Sequence, residues 1–101
     1  MKNFKTYDQA KNLYLACQGL RMPNWPVRDQ FQRAALSVVL NLAEGYGRRT
    51  QKDRRRHYTI ALGSLREVQA ILDIIEETEA AKSANRLGAM LYRLCQRPGG
   101  D

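Results

Sequence analysis

Long apolar runs are missing from this chain of 101 residues. The longest nearly apolar stretch is Ala34 to Ala43, broken by Ser37 and Asn41, and a bilayer crossing needs roughly 20 apolar residues. No membrane span is expected. Behind the start, Met-Lys-Asn-Phe-Lys, there is no apolar segment of the kind a signal peptide carries, so a cytoplasmic protein is expected. Cysteine is scarce. Cys17 and Cys95 form neither a CxxC pair nor a disulfide framework, and both read as reduced thiols. Three prolines and seven glycines exclude a linker-rich or collagen-like chain. His57 is the one histidine. With scattered carboxylates it makes no recognisable zinc site, so no metal and no cofactor are expected.

What is present is helical periodicity. Tyr7, Ala10, Tyr14 and Cys17 recur at spacings of three and four, a first helix capped by Thr6 or Asp8, with residues 1–6 frayed ahead of it. Arg21 to Val27 holds two prolines within four residues and reads as a loop, with Trp25 as an apolar plug beneath it. A second helix follows from about Val27 to Glu44, apolar nearly all round. Gly45 suits the left-handed position that ends a helix. Thr50-Gln-Lys-Asp53 is a start resembling a capping box, opening a third helix to about Glu77. A fourth runs from about Glu79 to Gln96. Short connections between four helices predict one all-α domain over residues 1–101, an antiparallel up-down-up-down four-helix bundle.

Two features exceed what a simple bundle needs. Arg33, Ser37, Asn41 and Glu44 make a polar row on the otherwise apolar second helix. A buried polar group left unpaired costs about 1–3 kcal/mol, so the row is read as a structural hydrogen-bond network rather than as catalytic. The third helix carries a second apolar stripe, Ile60, Gly63, Ser64, Ile71 and Ile74, beyond the one its own core uses. Small residues in it permit close approach of another helix, and the stripe is read as a subunit interface.

Charge is unevenly spread. The formal net charge is +7, and residues 48–58 alone carry six basic side chains against one acidic. A local basic block points to an anionic partner, commonly nucleic acid. Arg48, Arg49, Lys52, Arg54, Arg55 and Arg56 are the candidate binding residues. Arginine dominates, which suits forked contacts to phosphate. Tyr46 and Tyr58 flank the block; either ring can stack on a base, and Tyr58 is assigned to the core. Chain direction brings Lys2, Lys5, Arg93 and Arg97 to the same end. Gly45-x-Gly47 lacks the preceding strand and following Lys-Ser/Thr of a phosphate loop. A small nuclease using His57 is the remaining enzymatic alternative, and without a second histidine it is the weakest.

The run Ala34 to Thr50, with Asn41-Leu-Ala-Glu-Gly-Tyr-Gly-Arg-Arg49 at its heart, is followed by Ile60-Ala-Leu-Gly-Ser-Leu-Arg-Glu67. Both blocks together resemble the bacterial four-helix-bundle family that includes proteins encoded in intervening sequences of large-subunit ribosomal RNA genes. Accessory variability proteins of diversity-generating retroelements are in the same superfamily. The resemblance covers residues 7–77. It implies an antiparallel bundle assembling as a ring-like homopentamer, a non-enzymatic role, and RNA or other nucleic acid as partner. In the retroelement branch it implies a scaffold docked to a reverse transcriptase. The chain departs from the pattern at Val39, where proline is frequent, in a short Pro23–Gln30 connection, and in the heavier basic block at Arg54–Arg56.

Overall fold

The starts of the first two helices differ from the expected ones, because other groups satisfy their first amides. In the computed structural model, which describes residues 1–101, the helices are α1 (Lys5–Ala16), α2 (Trp25–Tyr46), α3 (Gln51–Ile74) and α4 (Thr78–Gln96), and there is no strand. Helix α2 starts before Val27 because the Asn24 side chain accepts from the Val27 amide at 3.0 Å. Pro26 sits in the first turn, where its missing N–H is one of the unpaired ones in any case. Trp25 is therefore no plug; it stands 72% exposed on that first turn. Helix α3 is capped as expected by Thr50, whose Oγ1 accepts from the Asp53 amide at 3.1 Å. The Asp53 carboxylate, one carbon shorter than glutamate, makes no return bond.

Helix α1 is capped neither by Thr6 nor by Asp8. Its N-cap is Phe4, which has no side-chain oxygen to offer. The Asp101 carboxylate arrives from the far end of the chain and accepts from the Lys5 amide, the Thr6 amide at 3.1 Å and the Thr6 hydroxyl. Residues 1–6 are consequently not frayed throughout: Phe4 and Thr6 are buried.

The glycine expected to end α2 lies within it. Gly45 is helical and buried, and α2 continues to Tyr46. Its lack of a side chain serves a contact, because a Cβ there would stand 2.5 Å from Tyr58 Cε1. The left-handed position is used at the other end of α3, and by a side chain: Glu76 has φ 59°. The Glu77 amide reaches the Leu72 carbonyl at 3.0 Å and the Glu76 amide the Asp73 carbonyl at 3.2 Å, the paired bonds of a Schellman motif. That motif ends α3 at Ile74, short of Glu77.

Pairings between neighbouring helices run in opposite senses along the two helices. Gln30 meets Glu67, Ser37 meets Ser64 and Asn41 meets His57 across α2 and α3. Arg55 meets Cys95 and Gln69 meets Asn85 across α3 and α4. One buried cluster joins all four helices, with Leu42, Ala61, Leu65, Val68, Leu72, Ala84 and Leu91 wholly or almost wholly enclosed. Each such leucine contributes about 1.5–3 kcal/mol by leaving water. The body measures 41 × 22 × 21 Å, so its ends lie far apart. No helix is long and apolar enough to cross a membrane.

Candidate nucleic-acid interface

The turn from α2 to α3 is four residues long, and its geometry comes from the two helix ends. The Gly47 amide closes α2 on the Ala43 and Glu44 carbonyls at 3.3 and 3.2 Å, with no positive φ. Thr50 then opens α3. The first amides and the dipole of α3 make its N-terminus locally positive, beside the negative C-terminal end of α2.

The six basic residues divide into two sets. Three are anchored. Arg48 Nη2 donates to Glu44 Oε2 at 3.0 Å. Arg54 Nε donates to the Arg48 carbonyl at 2.8 Å, bracing the turn. Arg55 Nε donates to the Cys95 carbonyl at 2.9 Å, tying α3 to the last turn of α4. An arginine held by Nε keeps its four terminal N–H donors for another partner. The other three, Arg49, Lys52 and Arg56, are exposed and make no ion pair and no side-chain hydrogen bond. The termini add to this end. Lys2 lines a cleft with Arg54, and Lys5 lines another with Arg93 and Arg97.

The polar row of α2 keeps only its middle. Asn41 Nδ2 donates to the Ser37 carbonyl at 3.0 Å and to Ser37 Oγ at 3.2 Å, and Ser37 Oγ meets Ser64 Oγ at 2.8 Å. Arg33 and Glu44 lie outside this network. Arg33 is exposed and pairs with Asp29 at 2.9 Å, while Glu44 pairs with Arg48. The reason is rotation: each four-residue step advances about 40° round a helix, so Arg33 is about 80° from Asn41, far enough to reach water. The second stripe of α3 is likewise divided. Ser64 is spent on the intrachain bond to Ser37, and Ile71 is buried in this chain's own core. Ile60 and Ile74 remain 46% and 72% exposed, and a Cβ on Gly63 would meet nothing within 4 Å.

His57 faces the α2–α3 seam and not the rim. Its Nδ1 lies 3.3 Å from Asn41 Oδ1, and its Nε2 is buried without a partner. Asn41 turns its amide nitrogen to Ser37, so Oδ1 is the acceptor and Nδ1 carries the proton. A nuclease reading loses its base, since a general base must reach its substrate. No three His, Cys, Asp or Glu side chains converge as metal ligands. Both cysteines are free. Burial pushes the Cys17 thiol up and Glu77 adds to the rise. Burial also raises Cys95, partly offset by Thr59 and Arg55.

The chain matches the 23S rRNA-intervening sequence protein family over residues 2–96. It belongs to that family. The match takes in all four helices, the basic turn and the Asn41 seam alike. No curated protein and no solved structure matches this family member at a significant level.

Sequence reasoning missed two parts of the basic end. One is Asp101 as the cap of α1, which no local motif signals because its partners lie 95 and 96 positions away. The other is the ring stack of Phe4 on Tyr46, centroids 4.8 Å apart. An aromatic at the fourth residue of an apparently frayed terminus was the available signal.

Proposed function

We propose that the protein is a non-enzymatic, cytoplasmic bundle that binds the RNA or DNA backbone through the rim formed by Arg48, Arg49, Lys52, Arg54, Arg55 and Arg56. The observation that carries this reading is the division of the rim. Arg54 and Arg55 are held in place through Nε with their forks available, and Arg49, Lys52 and Arg56 spend no charge within the chain. A merely solubilising cluster has no need of guanidiniums fixed by backbone carbonyls. Phosphate contacts supply affinity, with little reading of bases. The family's link to ribosomal RNA supports RNA as the partner.

The test reverses the three unpaired charges together, Arg49→Glu, Lys52→Glu and Arg56→Glu, because these three brace nothing. Binding of a labelled structured RNA and of a matched DNA duplex is followed by anisotropy across a salt series. The expected result is a salt slope shallower by about 2–3, since each lost phosphate contact removes roughly 0.7–0.9. Unchanged affinity in a folded variant sinks the reading.

A homo-oligomer, pentameric as the family resemblance implies, is proposed from the apolar side chains left uncovered on the outside of α2 and α3. Leu36, Leu40, Ile60 and Ile74 are 40–72% exposed. The same face supports a second reading, a scaffold docking a protein such as a reverse transcriptase. A pull-down after nuclease treatment separates them: a stoichiometric protein that survives favours the scaffold.

A further inference from the structure

At the basic end the chain builds an aromatic floor that the rim reading leaves unused. Tyr46 stacks on Phe4 at 4.8 Å with 22° between the rings, and Phe4 in turn lies 6.1 Å from Tyr58. Phe4 and Tyr58 are buried, but Tyr46 is 45% exposed. Beside it opens a cleft of about 370 Å³ whose walls include Lys2, Phe4, Tyr46, Arg54, Tyr58 and Asp101. That volume lies at the small end of the range for small-ligand sites, about 300–1,000 Å³. The cleft thus pairs a half-exposed ring, already held flat by a second ring, with two cations.

We propose, resting on the reading of the rim as a nucleic-acid surface, that this cleft takes one unpaired nucleobase stacked on Tyr46, with its flanking phosphates on Lys2 and Arg54. Stacking suits any base, because each has a π-face, and it needs a ring whose orientation is fixed beforehand. Phe4 fixes it. Arg54 is likewise fixed, by its Nε bond to the Arg48 carbonyl, and keeps its terminal donors for phosphate. The one acid in the cleft is no obstacle, since Asp101 is engaged by the Lys5 amide and by the Thr6 amide and hydroxyl. A base inside a duplex cannot reach such a floor without leaving its stack. The rim therefore prefers single-stranded or looped RNA to a continuous duplex.

The experiment compares Tyr46→Leu and Tyr46→Phe with the wild-type full chain. The leucine keeps apolar cover over Phe4 and removes the π-face; the phenylalanine keeps the face. Probes are a labelled single-stranded RNA and a blunt RNA duplex of the same length, with thermal melting as the check on folding. The expected result is a loss of about tenfold or more in single-strand affinity for Tyr46→Leu. Duplex affinity stays within about twofold and the salt slope is unchanged, because no phosphate contact is lost. Tyr46→Phe binds like wild type. Equal loss for both probes, or no loss for the single strand, overturns the platform while leaving the rim standing. A wild-type chain that binds neither probe overturns both. Should the leucine variant unfold, a single strand carrying 2-aminopurine decides with wild type alone: quenching on binding supports stacking, and its absence refutes it.

Discussion

The two turns at the ends of α3 use glycine and non-glycine residues in opposite ways. Before α3, Gly45 is an ordinary helical residue whose missing Cβ admits the Tyr58 ring. After α3, Glu76 occupies the left-handed position that glycine fills most easily, at φ 59°. The first turn carries five basic residues between Arg48 and Arg55 and one acid, Asp53; the second carries Glu76, Glu77 and Glu79. The difference teaches that a glycine at a helix end is not evidence of a backbone turn. At the basic turn the constraint is a contact between helices, and at the acidic turn it is backbone shape. Only the basic turn has side chains held by backbone carbonyls, Arg54 on Arg48 and Arg55 on Cys95.

Substitutions at these positions test that contrast. The largest effect is expected from Gly45→Ala. A Cβ forced against Tyr58 costs about 1–3 kcal/mol as overpacking, and the gain in helix propensity of up to about 1 kcal/mol offsets only part of it. Urea unfolding measures the difference, and an alanine that stabilises the chain would return Gly45 to a backbone role. At the opposite turn, Glu76→Gly should stabilise by about 1 kcal/mol, because a side chain in left-handed conformation costs roughly 1–2 kcal/mol. Glycine's own entropy removes part of that gain. A loss of stability there would mean that the Glu76 side chain makes a contribution the backbone argument omits.

Gly63 sharpens the comparison from a third position, mid-helix and exposed. With nothing within 4 Å of an added Cβ, Gly63→Ala should raise the stability of the dissociated chain by up to about 1 kcal/mol. If self-association measured by sedimentation falls at the same time, the space is used by a second copy.

The smallest effect is on pH dependence. Burial holds the Tyr58 phenol above its ordinary value; Arg54 pulls it part of the way back, and Asp101 and Tyr46 add to the rise. A group whose pKa is higher in the folded state contributes stability that is whole below its unfolded value, about 10, and lost as pH rises through the folded one. Unfolding midpoints should therefore fall more steeply above about pH 10 in wild type than in Tyr58→Phe. Equal slopes would show that the ring is less enclosed at the Gly45 contact than the packing indicates.

Much of this was legible in the residues. Spacings of three and four gave four helices and most core positions, because a helix that buries one face must repeat with its own pitch. The basic block was plain from charge alone. The less legible parts depended on direction and distance. Arg33 and Ser37 look equivalent at a spacing of four, yet rotation sends one to Asp29 in water and the other to Ser64 in the seam. Ile71 and Ile74 share a stripe in sequence, and only the first is covered.

The sequence by itself determined that the chain is all-helical, that its helices connect by short turns, and that its positive charge gathers at one of them. Local periodicity, capping residues and composition are enough for this, since each acts over a turn or two of chain. Tertiary structure alone decided that Arg55 is braced on Cys95, that Asp101 caps α1, and that Tyr46 lies on Phe4. Those outcomes join residues up to 96 positions apart. No local rule reaches so far, because such contacts exist only once the packing of the core has fixed where the ends of four helices lie.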